Sequence, residues 1–391
     1  MRIITICACL LFTVTAQAQN SIEELLLLIE AANPDLRAQN ELTTARKLEA
    51  RTGNYLSNPS VEYEHLWGKH PGSGLGRELT VSQEFDFPTV YSNHSRIAKL
   101  KSEQYDYEKA AFRQEVLLQA KEVCIDLVYL RRKRDFLDER LFVARKLSES
   151  YALKLAAGDA GVLEINRIEL ELINIQTEVD LNEVEISAKL AELTTLNGGE
   201  EIRFNIASYP DNRIVADFEV LLASCREKCP ELKHLESEQK VAGKEVALNK
   251  ANALPKFELG YKGDYSGGEK FNGVLVGMSI PMFENKNTIK RAKAQARFAE
   301  IRHENASLAL RAELRKLYDQ AQALNASRQK VSAIMERFGD LTLLNKALEA
   351  GQISLIECLN ELAPRYQSKE TLLLLERDCQ LALARLYKFE L

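Results

Sequence analysis

Few residues in this 391-residue chain are arranged for catalysis or metal binding. The five histidines stand at 65, 70, 94, 234 and 303, and none falls in the His-Glu-x-x-His spacing that puts two imidazoles on one helical face for zinc. His65 and His70 flank a strand end and a loop, which is a surface placement. There is no phosphate loop, dinucleotide fingerprint or catalytic triad pattern. Cys124, Cys225, Cys229, Cys358 and Cys379 lack zinc-site spacing. Cys225 and Cys229 are four apart, an orientation poor for a disulfide on a regular helix even in an oxidising compartment. Met278, Met282 and Met335 make no cluster of the kind that holds copper. The residues therefore predict no enzyme, no cofactor and no metal centre.

Charge narrows the partners. The net charge of -5 leaves no basic excess to neutralise phosphates, which argues against nucleic acid. The run Arg131-Arg132-Lys133-Arg134 is isolated among helical acidic residues and reads as a solvated face. At the N-terminus Arg2, the apolar stretch from Ile3 to Val14 and Ala16-Gln17-Ala18 read as a cleaved export signal over residues 1–18. Cys7 and Cys9 lie inside that apolar stretch, too early for lipid attachment. No later segment has the apolar length of a membrane-spanning helix, but a β-barrel hides its membrane contact in short alternating strands.

What positions the remaining polar residues is a duplication. Pro34 and Pro230, like Pro59 and Pro255, are 196 positions apart, and the segments before them pair Ile22-Glu-Glu-Leu-Leu with Phe218-Glu-Val-Leu-Leu. Further on Gly158 answers Gly351, and Glu164 answers Glu357, at an offset of 193. The first repeat spans 19–199 and the second 217–391, joined by an irregular connector over 200–216 that contains Pro210.

Each repeat opens with a short helix, breaks at proline, resumes as a helix and then changes to a period of two. Val61, Tyr63, His65 and Trp67 alternate with Glu62, Glu64 and Leu66; Leu79, Val81, Gln83 and Phe85 alternate with Glu78, Thr80, Ser82 and Glu84. The second repeat alternates likewise, which predicts four strands in two hairpins at about 60–68, 77–85, 256–264 and 272–281. Such lengths suit tilted bilayer-spanning strands with one apolar and one wet face. From Pro88 to Leu155 and from Asn285 to Leu348 the pattern is helical without a strong breaker, giving helices roughly 95 Å long. The returning helix carries Ile165, Ile168, Leu172, Ile175, Val179, Ile186, Leu190 and Leu193 as a coiled-coil seam, with Asn182 intruding.

Strand hairpin, very long helix, glycine-containing turn and returning helix, all duplicated, resembles the TolC family of outer-membrane efflux proteins. The marks are Asn33-Pro34-Asp35-Leu36, Ser279-Ile280-Pro281-Met282-Phe283 and Ala350-Gly351-Gln352-Ile353-Ser354-Leu355-Ile356-Glu357. Four strands cannot close, and an open edge is not tolerated in lipid, so copies must combine. The resemblance implies three copies, a mainly α protein with a 12-stranded transmembrane β-barrel in the outer membrane and an α-helical tunnel in the periplasm. It implies the exit duct of a tripartite system, partnered by a periplasmic adaptor and, through it, an inner-membrane pump. It puts Gly158, Asp159, Gly351 and Gln352 in tip turns that dock the adaptor, and Glu357, Asn360 and Glu164 at the periplasmic gate. Two departures stand out: Pro364 falls inside the last returning helix, where it removes a hydrogen bond, and no lipid-bearing cysteine is present. The alternative is a periplasmic adaptor with long helical hairpins and a small soluble sheet. An envelope enzyme would need a catalytic constellation that the chain lacks.

Overall fold

The structure is a computed structural model that describes residues 21–67, 76–210, 214, 217–266, 269–338 and 342–391. The export signal and most of the first hairpin loop, with His70, lie outside the described residues. The elements run α1 (Ile22–Ala32), α2 (Pro34–Thr52), β1 (Ser60–Leu66), β2 (Gly76–Phe85), α3 (Pro88–Ala157) and α4 (Val162–Leu196). The same order then repeats as α5 (Phe218–Lys228), α6 (Pro230–Ala251), β3 (Lys256–Ser266), β4 (Glu269–Ser279), α7 (Thr288–Phe338), α8 (Thr342–Glu349) and α9 (Leu355–Leu386). A final 3-10 turn covers Lys388–Glu390. Of the long helix that the sequence predicts over 285–348, α7 and α8 are described, and residues 339–341 between them lie outside the described residues.

Local chemistry sets the helix ends. The Ser21 hydroxyl accepts from the Glu24 amide (3.2 Å) to start α1, and the Asp217 carboxylate accepts from the Glu219 amide (2.8 Å) to start α5. Pro34 and Pro230 force a break after each short helix, because proline disfavours helical backbone before it and suits the first turn after. Asn33 at the first break is 1% exposed, and its amide donates to the Leu196 carbonyl (2.8 Å), covering the C-terminus of α4. That terminus ends on Gly198 at φ +71, where an added Cβ would meet the Ala32 carbonyl oxygen at 2.8 Å.

The chain forms two compact units, and these cut across the repeats. The first takes residues up to 34, 116–214 and 319–385; the second takes 35–115, 215–318 and 386–391. In the first, Leu137, Leu141 and Ala144 of α3 pack on Ile175 and Val179 of α4. Asn182 continues this seam at 1% exposure, donating to the Leu130 carbonyl (3.1 Å), so the polar break in the heptads is a buried, register-fixing contact. The Arg131–Arg134 run belongs here too, and the reading of it as a solvated face is wrong for Arg131 and Arg132, whereas Arg134 keeps to exposed ion pairs. Arg131 lies over the Phe204 ring (5.1 Å), Arg132 over Tyr209 (5.6 Å) while pairing with Glu376 (2.7 Å), and Arg134 pairs with Asp138 and Glu183. The ring contacts with Phe204 and Tyr209 hold the connector to α3, through partners far away in sequence.

The second unit contains the sheet, four antiparallel strands in the order β1-β2-β3-β4. Register aligns Val61, Val81, Tyr261 and Val274 in one row, with Phe85, Phe257 and Met278 in another on the same face. The opposite face carries Glu62, Glu64, Glu78, Glu84, Glu258 and Asp264 against Lys256 and Lys262, of which Lys262 pairs with Glu78.

Candidate functional site

The two hairpin turns are built alike, in two joined motifs. At the end of α3 the Gly158 amide donates to the Leu155 carbonyl (3.0 Å) and the Asp159 amide to the Lys154 carbonyl (2.8 Å). At the end of α8 the Gly351 amide donates to Leu348 (3.1 Å) and the Gln352 amide to Ala347 (2.9 Å). This is the Schellman pattern, which needs a left-handed residue, and Gly158 (φ +85) and Gly351 (φ +67) supply it. The next helix starts at once. The Gly161 amide donates to the Glu164 carboxylate (2.9 Å); the Ser354 amide (2.8 Å) and hydroxyl (2.9 Å) donate to the Glu357 carboxylate, and the Ser354 hydroxyl accepts from the Glu357 amide (3.2 Å).

Glu357 is thus the third-position partner of a full capping box, and Glu164 makes only its carboxylate half, because Gly161 has no side chain to accept in return. The sequence signal, a small residue followed three places later by glutamate, was available in Ser354-Leu355-Ile356-Glu357 and gives these glutamates a local task besides any in a gate. The backbone amide of Ser354, then its hydroxyl, hold the Glu357 carboxyl below the usual glutamate range. Glu357 and Asn360 are exposed and three residues apart on one face of α9; Asp159 and Gln352 are exposed, and Glu164 is half-buried. Pro364 stays inside α9, and by lacking an N–H it deprives the Asn360 carbonyl of its helical hydrogen bond.

Residues that the sequence assigns no part in the site join the turns. Leu355, fully buried, packs with Tyr151 and Ile168, bordered by Ala160, Ile165 and Leu359, so both hairpins share one apolar cluster next to their turns. Burial, and then the Glu164 carboxylate, push the Tyr151 hydroxyl up. Farther along α3, Arg140 pairs with Glu171 (3.1 Å) and Glu178 (3.1 Å) of α4 and lies over the Tyr366 ring (5.0 Å) of α9. The five described cysteines are free thiols, all buried; burial pushes Cys225 up to about 12 and Cys229 to about 11. Among the described residues there is no group of His, Cys, Asp and Glu able to hold a metal.

The other candidate surface is the sheet. Its apolar face is open: Val61 is 69% and Val274 is 82% exposed. A soluble half-buried sheet would hide such a face on a core. Both outer strands, β1 and β4, keep one edge without a partner strand among the described residues. No described helix is long and apolar enough to cross a membrane.

The fold is shared with solved structures of outer-membrane channels. A solved structure of CusC has a TM-score of 0.80 at 14% identity, covering 96% of this chain and 95% of that one. The Campylobacter jejuni CmeC outer membrane channel gives 0.73 at 15% identity, covering 94% and 85%. The Neisseria gonorrhoeae MtrE outer membrane channel, in its open state, gives 0.76 at 15%, covering 94% and 88%. Residues 221–389, within the second repeat, match the family model described as outer membrane efflux protein. No curated protein sequence matches the chain.

Proposed function

We propose that the chain is the outer-membrane exit duct of a tripartite efflux or secretion system. Three copies place twelve strands in a barrel, which buries the open edges of β1 and β4 against neighbouring copies and turns the exposed apolar face to lipid. The acidic face then lines the lumen. The single observation that carries this reading is the exposed apolar face, useless in water and required in a bilayer. It also weighs against the periplasmic adaptor, whose sheet would be soluble. With no energy-coupling motif in the chain, substrate arrives from an inner-membrane pump through an adaptor.

In this reading the Gly158-Asp159 and Gly351-Gln352 turns dock the adaptor, for which their rigid double motif is suited. Three Glu357 carboxylates, with Asn360 one turn on and Glu164 nearby, ring the periplasmic opening and attract cations. Fractionation tests the proposal: the protein should sediment with outer membranes and be captured with an adaptor only when both turns are intact. Recovery in the soluble periplasm would overturn it.

A further inference from the structure

At the foot of the sheet the second unit holds a cavity of about 470 Å³ whose lining includes Arg51, Asn54, Ser95, Lys99, Ser102 and Glu103. Arg51 lies in the last turn of α2, and the Asn54 backbone amide donates back to its carbonyl (3.1 Å), which closes the turn. Ser95, Lys99 and Ser102 share one face of α3 by their spacing of four and three. Neighbouring cations of the same helices are matched: Arg46 to Glu108 (2.6 Å), Lys47 to Asp106 (2.6 Å) and Lys101 to Glu245 (3.7 Å). Arg51 and Lys99 have no carboxylate partner among the described residues, although Glu103 stands one turn from Lys99. Two cations, two hydroxyls and an amide therefore face one space against a single carboxylate.

The chain places this space next to the membrane-facing strands. Asn54 is six residues before β1, and Ser57 between them is fastened to the strand base, its hydroxyl donating to the Glu84 carbonyl (2.9 Å) and its carbonyl accepting from the Gln83 amide (2.6 Å). Ser95 lies seven residues into α3, about 10 Å along the helix. Each headgroup layer of a bilayer is roughly 5–7 Å deep, and arginine and lysine stems extend several ångströms further toward it. Beside the cavity Tyr55 is 76%, Leu56 54% and Leu48 60% exposed, the amphipathic and apolar types that settle at a membrane interface.

We infer that this cavity binds the phosphodiester headgroup of an anionic phospholipid in the periplasmic leaflet of the outer membrane. Arg51 and Lys99 take the non-bridging oxygens, Ser95, Ser102 and the side-chain amide of Asn54 donate around them, and the acyl chains run along Tyr55 and Leu56. The inference rests on the membrane placement proposed above.

The test is native mass spectrometry of the complete solubilised protein, titrated with phosphatidylglycerol, phosphatidylethanolamine or inorganic phosphate. Phosphatidylglycerol should bind at one per chain, more tightly than phosphatidylethanolamine, and weaken at least tenfold in the Arg51→Gln/Lys99→Gln variant. The charge-keeping Arg51→Lys/Lys99→Arg variant should retain it, and single Lys99→Gln gives an intermediate loss if the double variant assembles poorly. Inorganic phosphate at the same concentration should not compete. Equal phosphatidylglycerol binding by the glutamine variants, or displacement by inorganic phosphate, would overturn the lipid site. Fractionation of the unaltered protein separates the two ideas: absence from outer membranes refutes the placement, whereas presence there with variant-independent binding refutes only the site.

Discussion

Lysine at Val274 asks whether the open face of the sheet meets lipid or water. Val274 is the sixth of eleven residues in β4 and shares its row with Tyr261, the sixth of eleven in β3, so this row marks the middle of the strands. On a water-exposed surface, Val274→Lys at a side chain 82% exposed would change stability by no more than about 0.5 kcal/mol. At a bilayer midplane the same lysine costs about 2–4 kcal/mol per copy, roughly 30- to 1,000-fold in the folding equilibrium. Three copies multiply the penalty. The control is next door: Gly273 lies on the opposite face in the row of Glu62, Thr80 and Lys262, and an added Cβ there meets nothing within 4 Å. Gly273→Lys should assemble normally, because Lys262 directly opposite it already pairs with Glu78 and Asp264 stands diagonally across from it. The assay is the yield of heat-modifiable oligomer in outer-membrane fractions. Val274→Lys should lose most of it and Gly273→Lys little. Equal yields for the two would refute the lipid-facing assignment.

Bulky substitutions at Asp159 and Gln352, which spare the left-handed glycines, should abolish crosslinking to the adaptor without reducing oligomer yield. Glu357→Gln keeps an acceptor for Ser354 while removing charge, and should lower cation selectivity and relieve divalent block from the periplasmic side in single-channel recording. Because its capping bonds depress the Glu357 carboxyl, their contribution is complete above the ordinary glutamate range and fades as pH falls through the lowered value. The protection factors of the Ser354, Glu357 and Cys358 amides, with intrinsic exchange divided out, should therefore hold at neutral pH and fall only in stronger acid. Asn33→Ala removes the buried bond to the Leu196 carbonyl and should destabilise the first unit by about 1–3 kcal/mol, seen as faster exchange around Leu196 to Gly199.

Much of this architecture is written in short-range patterns. The proline pairs marked where α1 and α5 stop, because proline acts on its immediate neighbours. Alternation of Val61, Tyr63, Leu79 and Val81 with glutamates exposed two-faced strands, and the Ile168, Ile175 and Val179 steps gave the α3–α4 seam. Long-range pairing was not legible. That Arg131 would find Phe204, Arg132 would find Glu376, and Leu355 would close on Tyr151 depends on how segments of both repeats meet in one unit, which the duplication alone does not suggest. Asn182 was visible as an interruption, but only its buried bond to Leu130 explains it. In the candidate gate, resemblance pointed to Glu357 and Asn360, while the capping box at Ser354 and Glu357 was a local signal passed over.

The most direct test is the mass of the solubilised particle in mild detergent, corrected for bound detergent. The account predicts a single species containing three copies, because the edges of β1 and β4 can be satisfied in lipid only by neighbouring chains. A monodisperse monomer would contradict it.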